Sequence, residues 1–145
     1  MSFDVPSLHD AQLVGVCVSA SGDKLTLSMV DGDLKYSLFL GGVRAFRLVD
    51  MQIQNIICNL GVHSGFGVSE NKLRGLLEWV SSGVETTSYM TDEAISRYVD
   101  KIERGELALV VIEPSAGAEL SVLCETVEYR TKGTEQRANK GDGGN

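Results

Sequence analysis

Between Val14 and Leu40 apolar and polar side chains alternate with a period of two. Two short turn signals, Ser21-Gly22 and Asp31-Gly32, cut this stretch into three runs. Treating each signal as a two-residue hairpin loop fixes the register. Val18, Val16 and Val14 then face Leu25, Leu27 and Met29, which in turn face Leu38, Tyr36 and Leu34. All of these side chains fall on one face of a three-stranded meander, and a one-residue slip at either turn would scatter them. Turn chemistry and hydrophobic period therefore predict the same element independently.

After the meander, Gly41-Gly42 leads into two further strand candidates, Val43–Val49 and Gln52–Leu60. A two-residue loop at the glycines would place Ala45 and Arg47 with Leu38 and Tyr36, and Phe46 and Leu48 on the opposite face. Two arrangements resolve the conflict. Either a bulge or wider loop sits at the glycines, or both sheet faces are covered, which also accommodates Leu13, Cys17 and Phe39 on the second face.

The pattern then changes to helical spacing. Leu73, Leu76, Leu77 and Val80 stand at i, i+3, i+4 and i+7, with Ser69 as cap and Gly83 as stop, although Gly75 weakens the segment. A second stripe, Ile95, Tyr98, Val99 and Ile102, starts at Thr91, carries Asp92 and Glu93 in its first turn and ends at Gly105. Val84–Met90 shows neither period. Leu107–Ile112 and Leu120–Tyr129 read as two strands joined by Glu113–Glu119, and Thr131–Asn145 contains no large apolar side chain. The expected fold is α+β: a mainly antiparallel sheet, opened by the N-terminal β-meander and covered by one or two amphipathic helices. Residues 1–130 form the single domain and 131–145 a disordered tail.

Charge narrows the classes of partner. The net charge is −7, unevenly spread: four Lys/Arg against six Asp/Glu over residues 1–60, six against twelve over 61–130, and three against two thereafter. An acidic surface argues against nucleic acid and against an anionic membrane, and is compatible with a basic protein partner. No run reaches bilayer-spanning length and no basic-then-apolar leader opens the sequence, so a cytoplasmic location is expected. Cys17, Cys58 and Cys124 are odd in number and set in apolar runs, the pattern of buried free thiols in a reducing compartment.

Candidate chemistry is sparse. His9 and His63 lack a second ligand at metal spacing, so neither a metal nor another cofactor is expected. His9-Asp10 pairs an imidazole with a carboxylate, as a general base requires; yet neighbours on extended backbone point apart, and Asp is an ordinary turn residue. In the connection Glu113-Pro114-Ser115-Ala116-Gly117-Ala118-Glu119, Ser115 offers a hydroxyl and Glu113 and Glu119 offer carboxylates, but a solvated hairpin loop explains them as well. Gly61–Gly67 does not have the spacing of a dinucleotide fingerprint. Trp79 reads as an interface anchor or as helix-to-sheet packing. No catalytic residue is assigned.

His9-Asp10-Ala11 before the meander, with Glu113–Leu120 and Leu123-Cys124-Glu125 near the end, resembles a group of small uncharacterised bacterial α+β proteins over roughly Leu8 to Tyr129. The resemblance implies a bacterial domain and brings no activity to carry over. Small acidic bacterial proteins of this size include immunity proteins that neutralise a cognate toxin. The leading expectation is a non-enzymatic acidic protein-binding module, immunity- or antitoxin-like, with His9, Asp10, Glu113, Ser115 and Glu119 as binding candidates. The rival is a small-ligand-binding domain or small enzyme with a pocket near Gly61–Gly67 and Glu113–Glu119. Homo-oligomerisation through an exposed strand edge or the second sheet face is a third reading.

Overall fold

The computed structural model describes residues 5–82 and 89–132. The chain runs β1 (Gln12–Val18), β2 (Lys24–Asp31), β3 (Leu34–Gly41), β4 (Ala45–Val49), β5 (Ile56–His63), α1 (Glu70–Val80), α2 (Asp92–Glu103), β6 (Ala108–Ala116), β7 (Glu119–Cys124) and β8 (Thr126–Lys132). All pairings are antiparallel and form one sheet in the order β4-β7-β6-β5-β1-β2-β3-β8.

The meander forms as the alternation requires, with two local differences. Val18 faces Leu25 and Val16 faces Leu27, but a bulge at Val14 puts Leu13 opposite Met29. Leu13 is buried and Val14 is half exposed. The second turn uses Gly32-Asp33 as its loop, not Asp31-Gly32, so Leu25, Leu27 and Met29 face Leu40, Leu38 and Tyr36. Gly32 takes a positive φ of 60° at the first loop position, where a type II′ turn needs glycine. The pairing is displaced by two residues, which is one full period, so every side chain keeps its face. Val18 and Leu34, at the ends, are exposed.

β4 does not pair with β3. Beyond Gly41-Gly42 the chain turns away, and β3–β4 together pair with β8 and β7: Gly41 faces Thr126 and Ala45 faces Leu123. Backbone bonds from Glu125 to Gly41 O (2.9 Å) and from Arg44 to Leu123 O (2.8 Å) carry the ladder through the bend. The predicted strand Leu120–Tyr129 is thus two strands hinged at Glu125. Because the two ends of the strand order are segments of these same bent strands, the sheet folds back on itself. One half is β1-β2-β3-β8, the other β5-β6-β7-β4, and a narrow seam joins β1 to β5. Inward side chains of both halves make one core, including Leu27, Leu38, Leu60, Val110, Leu120 and Val122, with Phe46 and Leu48 packed against it.

The helices cover only the second half. Leu73, Leu77 and Val80 of α1 and Ile95, Val99 and Ile102 of α2 pack with Leu109, Val111 and Leu123 on the outer face. β6 and β7 are therefore buried on both faces, which explains the unbroken apolar run at Leu107–Ile112. Neither resolution of the Gly41-Gly42 conflict holds as framed: β4 leaves β3 to pair with β7, and the doubly covered strands are β6 and β7, while Leu13 joins the inner core. The outer face of the meander, with Cys17 exposed and Phe39 partly exposed, carries no helix among the described residues.

Both helices begin as their caps predict. Ser69 accepts from the Lys72 amide at 3.2 Å and Thr91 from the Ala94 amide at 3.1 Å. At the end of α2, Gly105 adopts φ 78°; its amide bonds Ile102 O and the Glu106 amide bonds Lys101 O, a Schellman closure. Gly83 and most of Val84–Met90 lie outside the described residues, as do residues 133–145. β8 extends the ordered chain through Thr131 and Lys132, which face Tyr36 and Lys35.

Two glycines should respond oppositely to alanine. Gly75 lies on the exposed side of α1 with open space around an added Cβ, so Gly75→Ala should stabilise by about 0.8–1 kcal/mol. Gly117 has φ 80°, and a Cβ there would come within 2.4 Å of Asn55 Oδ1. Gly117→Ala should destabilise by about 1–3 kcal/mol. Urea denaturation of the two variants measures both.

Candidate functional site

Asn55 is the polar residue around which the candidate surface is built, and it is 2% exposed. Its Oδ1 accepts from the amides of Gln52 (2.8 Å) and Ala118 (3.0 Å), while Nδ2 donates to the carbonyls of Gln52 (2.7 Å) and Leu13 (3.3 Å). Its backbone carbonyl accepts from the Leu13 amide at 2.9 Å. One side chain thereby gathers three segments: the start of β1 at its bulge, the 50–54 loop, and the turn between β6 and β7. Every buried side-chain polar atom among the described residues has a partner.

The segments gathered by Asn55 carry exposed aliphatic side chains. Ile53 is fully exposed, and Met51 and Val14 are 41% and 52% exposed. Asp50, at a positive φ of 59°, turns the chain out of β4 into this loop. Glu119 faces Val49 across the β4–β7 ladder, one residue before Asp50. The result is an apolar tip with carboxylates at its base, held by a buried amide. The expected strand Gln52–Leu60 is found only from Ile56, as β5, and the 50–54 segment is a loop. The overlooked signal is Asn55 itself, a strong turn former interrupting that run.

His9 and Asp10 lie beside β5. Both side chains are largely exposed, with His9 Nε2 3.5 Å from Asp10 Oδ1. They converge, contrary to the extended-backbone expectation, because Leu8 and Asp10 both have positive φ. His9 Nδ1 lies 2.8 Å from the carbonyl of Cys58, which can only accept, so Nδ1 carries a proton. Nε2 then faces the Asp10 carboxylate, and both groups lie in open solvent.

Glu113, Ser115 and Glu119 are all exposed, but the expected loop is not one: Glu113 and Ser115 belong to β6 and Glu119 to β7, and only Gly117-Ala118 lie between the strands. Glu113 faces Asn59 across the β5–β6 ladder. Asp10 bonds the Ile57 carbonyl, and Ile57 pairs with Pro114 on the far side of β5. One strand, or roughly 10 Å, thus separates the His9-Asp10 pair from the Glu113–Glu119 connection. Gly61, Val62 and His63 belong to β5, so the glycine loop proper begins at Ser64, tied by its Oγ to Leu107 O at 2.9 Å. Gly61 faces Val111, two residues from Glu113 on the neighbouring strand, so the Gly61–Gly67 and Glu113–Glu119 segments adjoin at that end; His63 faces Leu109 whereas Ile56 faces Ala116, which puts their far ends roughly 23 Å apart along β6. Among the described residues no group of three His, Cys, Asp or Glu side chains could hold a metal ion, and no helix is long and apolar enough to cross a membrane.

Trp79 packs onto the sheet: Arg47 of β4 lies 4.4 Å from its ring centroid and donates to its carbonyl at 3.0 Å. No protein-family model matches the chain, and no curated protein matches it. Among solved structures, an uncharacterized protein from Neisseria gonorrhoeae is similar over 84% of this chain and 91% of that one, with a TM-score of 0.46 and 13% identity.

The cysteines differ from expectation. Cys124 is buried, and burial with Glu125 nearby pushes its thiol up to about 12. Cys17 and Cys58 are exposed, Cys58 because it occupies a bulge between Ile57 and Asn59. A chromogenic disulfide reagent should titrate Cys17 and Cys58 in the native protein and Cys124 only after unfolding. Single Cys→Ser variants assign each reaction.

His63 supplies a pH test. Burial lowers its pKa from the ordinary 6.5, Lys72 lowers it further, and Glu113 opposes both. The unfolded chain therefore binds the proton more readily, and stability should fall as pH drops through about 6.5 and below. Urea midpoints from pH 8 to 5 should fall less on the acid side in His63→Gln than in the parent.

Proposed function

We propose that the protein is a non-enzymatic, acidic protein-binding module of the cytoplasm whose contact with its partner centres on the Met51–Ile53 tip. The supporting observation is Ile53, a fully exposed large aliphatic side chain on a loop whose next turn is fixed by a buried, fully bonded Asn55. A flexible loop loses conformational freedom on binding, and one already fixed loses less. Burying an isoleucine in a partner's pocket contributes roughly 1.5–3 kcal/mol. Asp50 and Glu119 at the base of the tip, and the acidic balance over residues 61–130, select a pocket with a basic rim. An immunity or antitoxin protein facing a basic toxin is one form of this reading, suggested by the small size and acidity of the chain.

A photo-crosslinking amino acid placed at position 53 in native cells tests it. A discrete adduct should form that is absent when the probe sits at Lys24, and its yield should drop with added salt and with Asp50→Lys. Equal labelling from both positions would overturn the reading.

A further inference from the structure

We propose that a second copy of this chain docks on the outer edge of β8, antiparallel, with Tyr129 opposite the partner subunit's Tyr129. β8 ends the strand order, pairs with β3 on one side, and has no strand on its other side among the described residues. Its outward hydrogen-bonding groups follow from the register. The two-residue loop Gly32-Asp33 makes Asp31 and Leu34 a mutually bonded pair, so even-numbered residues of β3 bond to β2 and odd-numbered ones to β8. Their partners on β8 are Thr126, Glu128, Arg130 and Lys132. Val127, Tyr129 and Thr131 therefore direct N–H and C=O away from the sheet.

Three two-fold registers align these groups over most of the strand, and charge separates them. Centring on Glu128 sets two glutamates opposite each other, and centring on Arg130 sets two arginines opposite. Centring on Tyr129 sets each Glu128 against the partner subunit's Arg130, twice, at the closely spaced non-bonded positions. Val127 then bonds with the partner subunit's Thr131. Glu128 and Arg130 already point to one face and form an ion pair at 3.0 Å, with Arg130 also 5.0 Å from the Phe39 ring centroid. Charges on an edge strand usually discourage pairing, but the order acid, tyrosine, base is complementary to its own reverse. Joining two copies this way continues β1-β2-β3-β8 into a sheet spanning both subunits, an isologous contact that closes on itself.

Sedimentation equilibrium over a wide concentration range tests the proposal, together with amide hydrogen exchange at low and high concentration. The parent should dimerise, and Glu128→Arg or Arg130→Glu alone should weaken dimerisation about tenfold by creating like-charge pairs. The double swap should restore it. Protection at the amides of Val127, Tyr129 and Thr131 should rise with concentration. A monomer at every concentration, or a dimer indifferent to the single swaps, would overturn the proposal. So would protection of those amides that does not depend on concentration, since the chain's own residues after Lys132 would then cover the edge.

Discussion

A buried amide closes this sheet. β1 and β5 share a short ladder, Gln12 against Ile56, and the bonds on either side of it are made by Asn55, Ala11 and Asp10. Asn55 turns that short contact into a seam because its side chain satisfies donors and acceptors from three separate segments at once. Each such bond contributes roughly 0.5–1.5 kcal/mol net, but the groups it satisfies would cost more if left buried and unpaired. The requirement extends outward to Gly117, whose positive φ and missing Cβ let the β6–β7 turn approach Asn55. Without that approach, the Ala118 amide would have no acceptor there.

At the other side of the molecule, closure relies on bending. β3–β4 and β7–β8 are a single antiparallel pair folded at Gly41-Gly42 and Glu125, so the pairing of two strands serves both halves of the sheet. The consequence is an uneven distribution of cover. Strands of the second half lie between the interior and the helices and have apolar residues on both faces. The meander buries one face, carries no helix on the other among the described residues, and alternates except at the Val14 bulge. The two kinds of strand in the sequence, alternating and continuous, thus reflect the number of layers packed against each.

This difference sets what could be read beforehand. The meander was legible because its turns and its period constrain the same faces, and a two-residue displacement of the second turn left those faces unchanged. The helices were legible through Ser69, Thr91 and Gly105, whose roles are local. The bulge at Val14 was not, since an apolar residue there satisfies the alternation while Leu13 occupies the core position. Nor was the partner of β4, because it is chosen by a ladder with β7, more than seventy residues further along the chain. The candidate residues fared according to the same division. All five are exposed as expected, but Glu113 and Ser115 lie in β6 and Glu119 in β7 and not in a loop, because β6 runs on to Ala116 to pair with Ile56 of β5, a partner that local pattern does not name.

The placement of Ile53 links stability to recognition. An exposed isoleucine gains nothing for the folded monomer, and a loop bearing one would ordinarily fluctuate to shelter it against neighbouring surface. Here the amide and carbonyl of Gln52 are both bound by Asn55, so the residue before Ile53 is fixed to the most constrained point of the seam. The same Asn55 side chain also bonds Leu13 and Ala118, so the loop that carries Ile53 is anchored at the point where the sheet closes, and the cost of ordering it is already met in the fold.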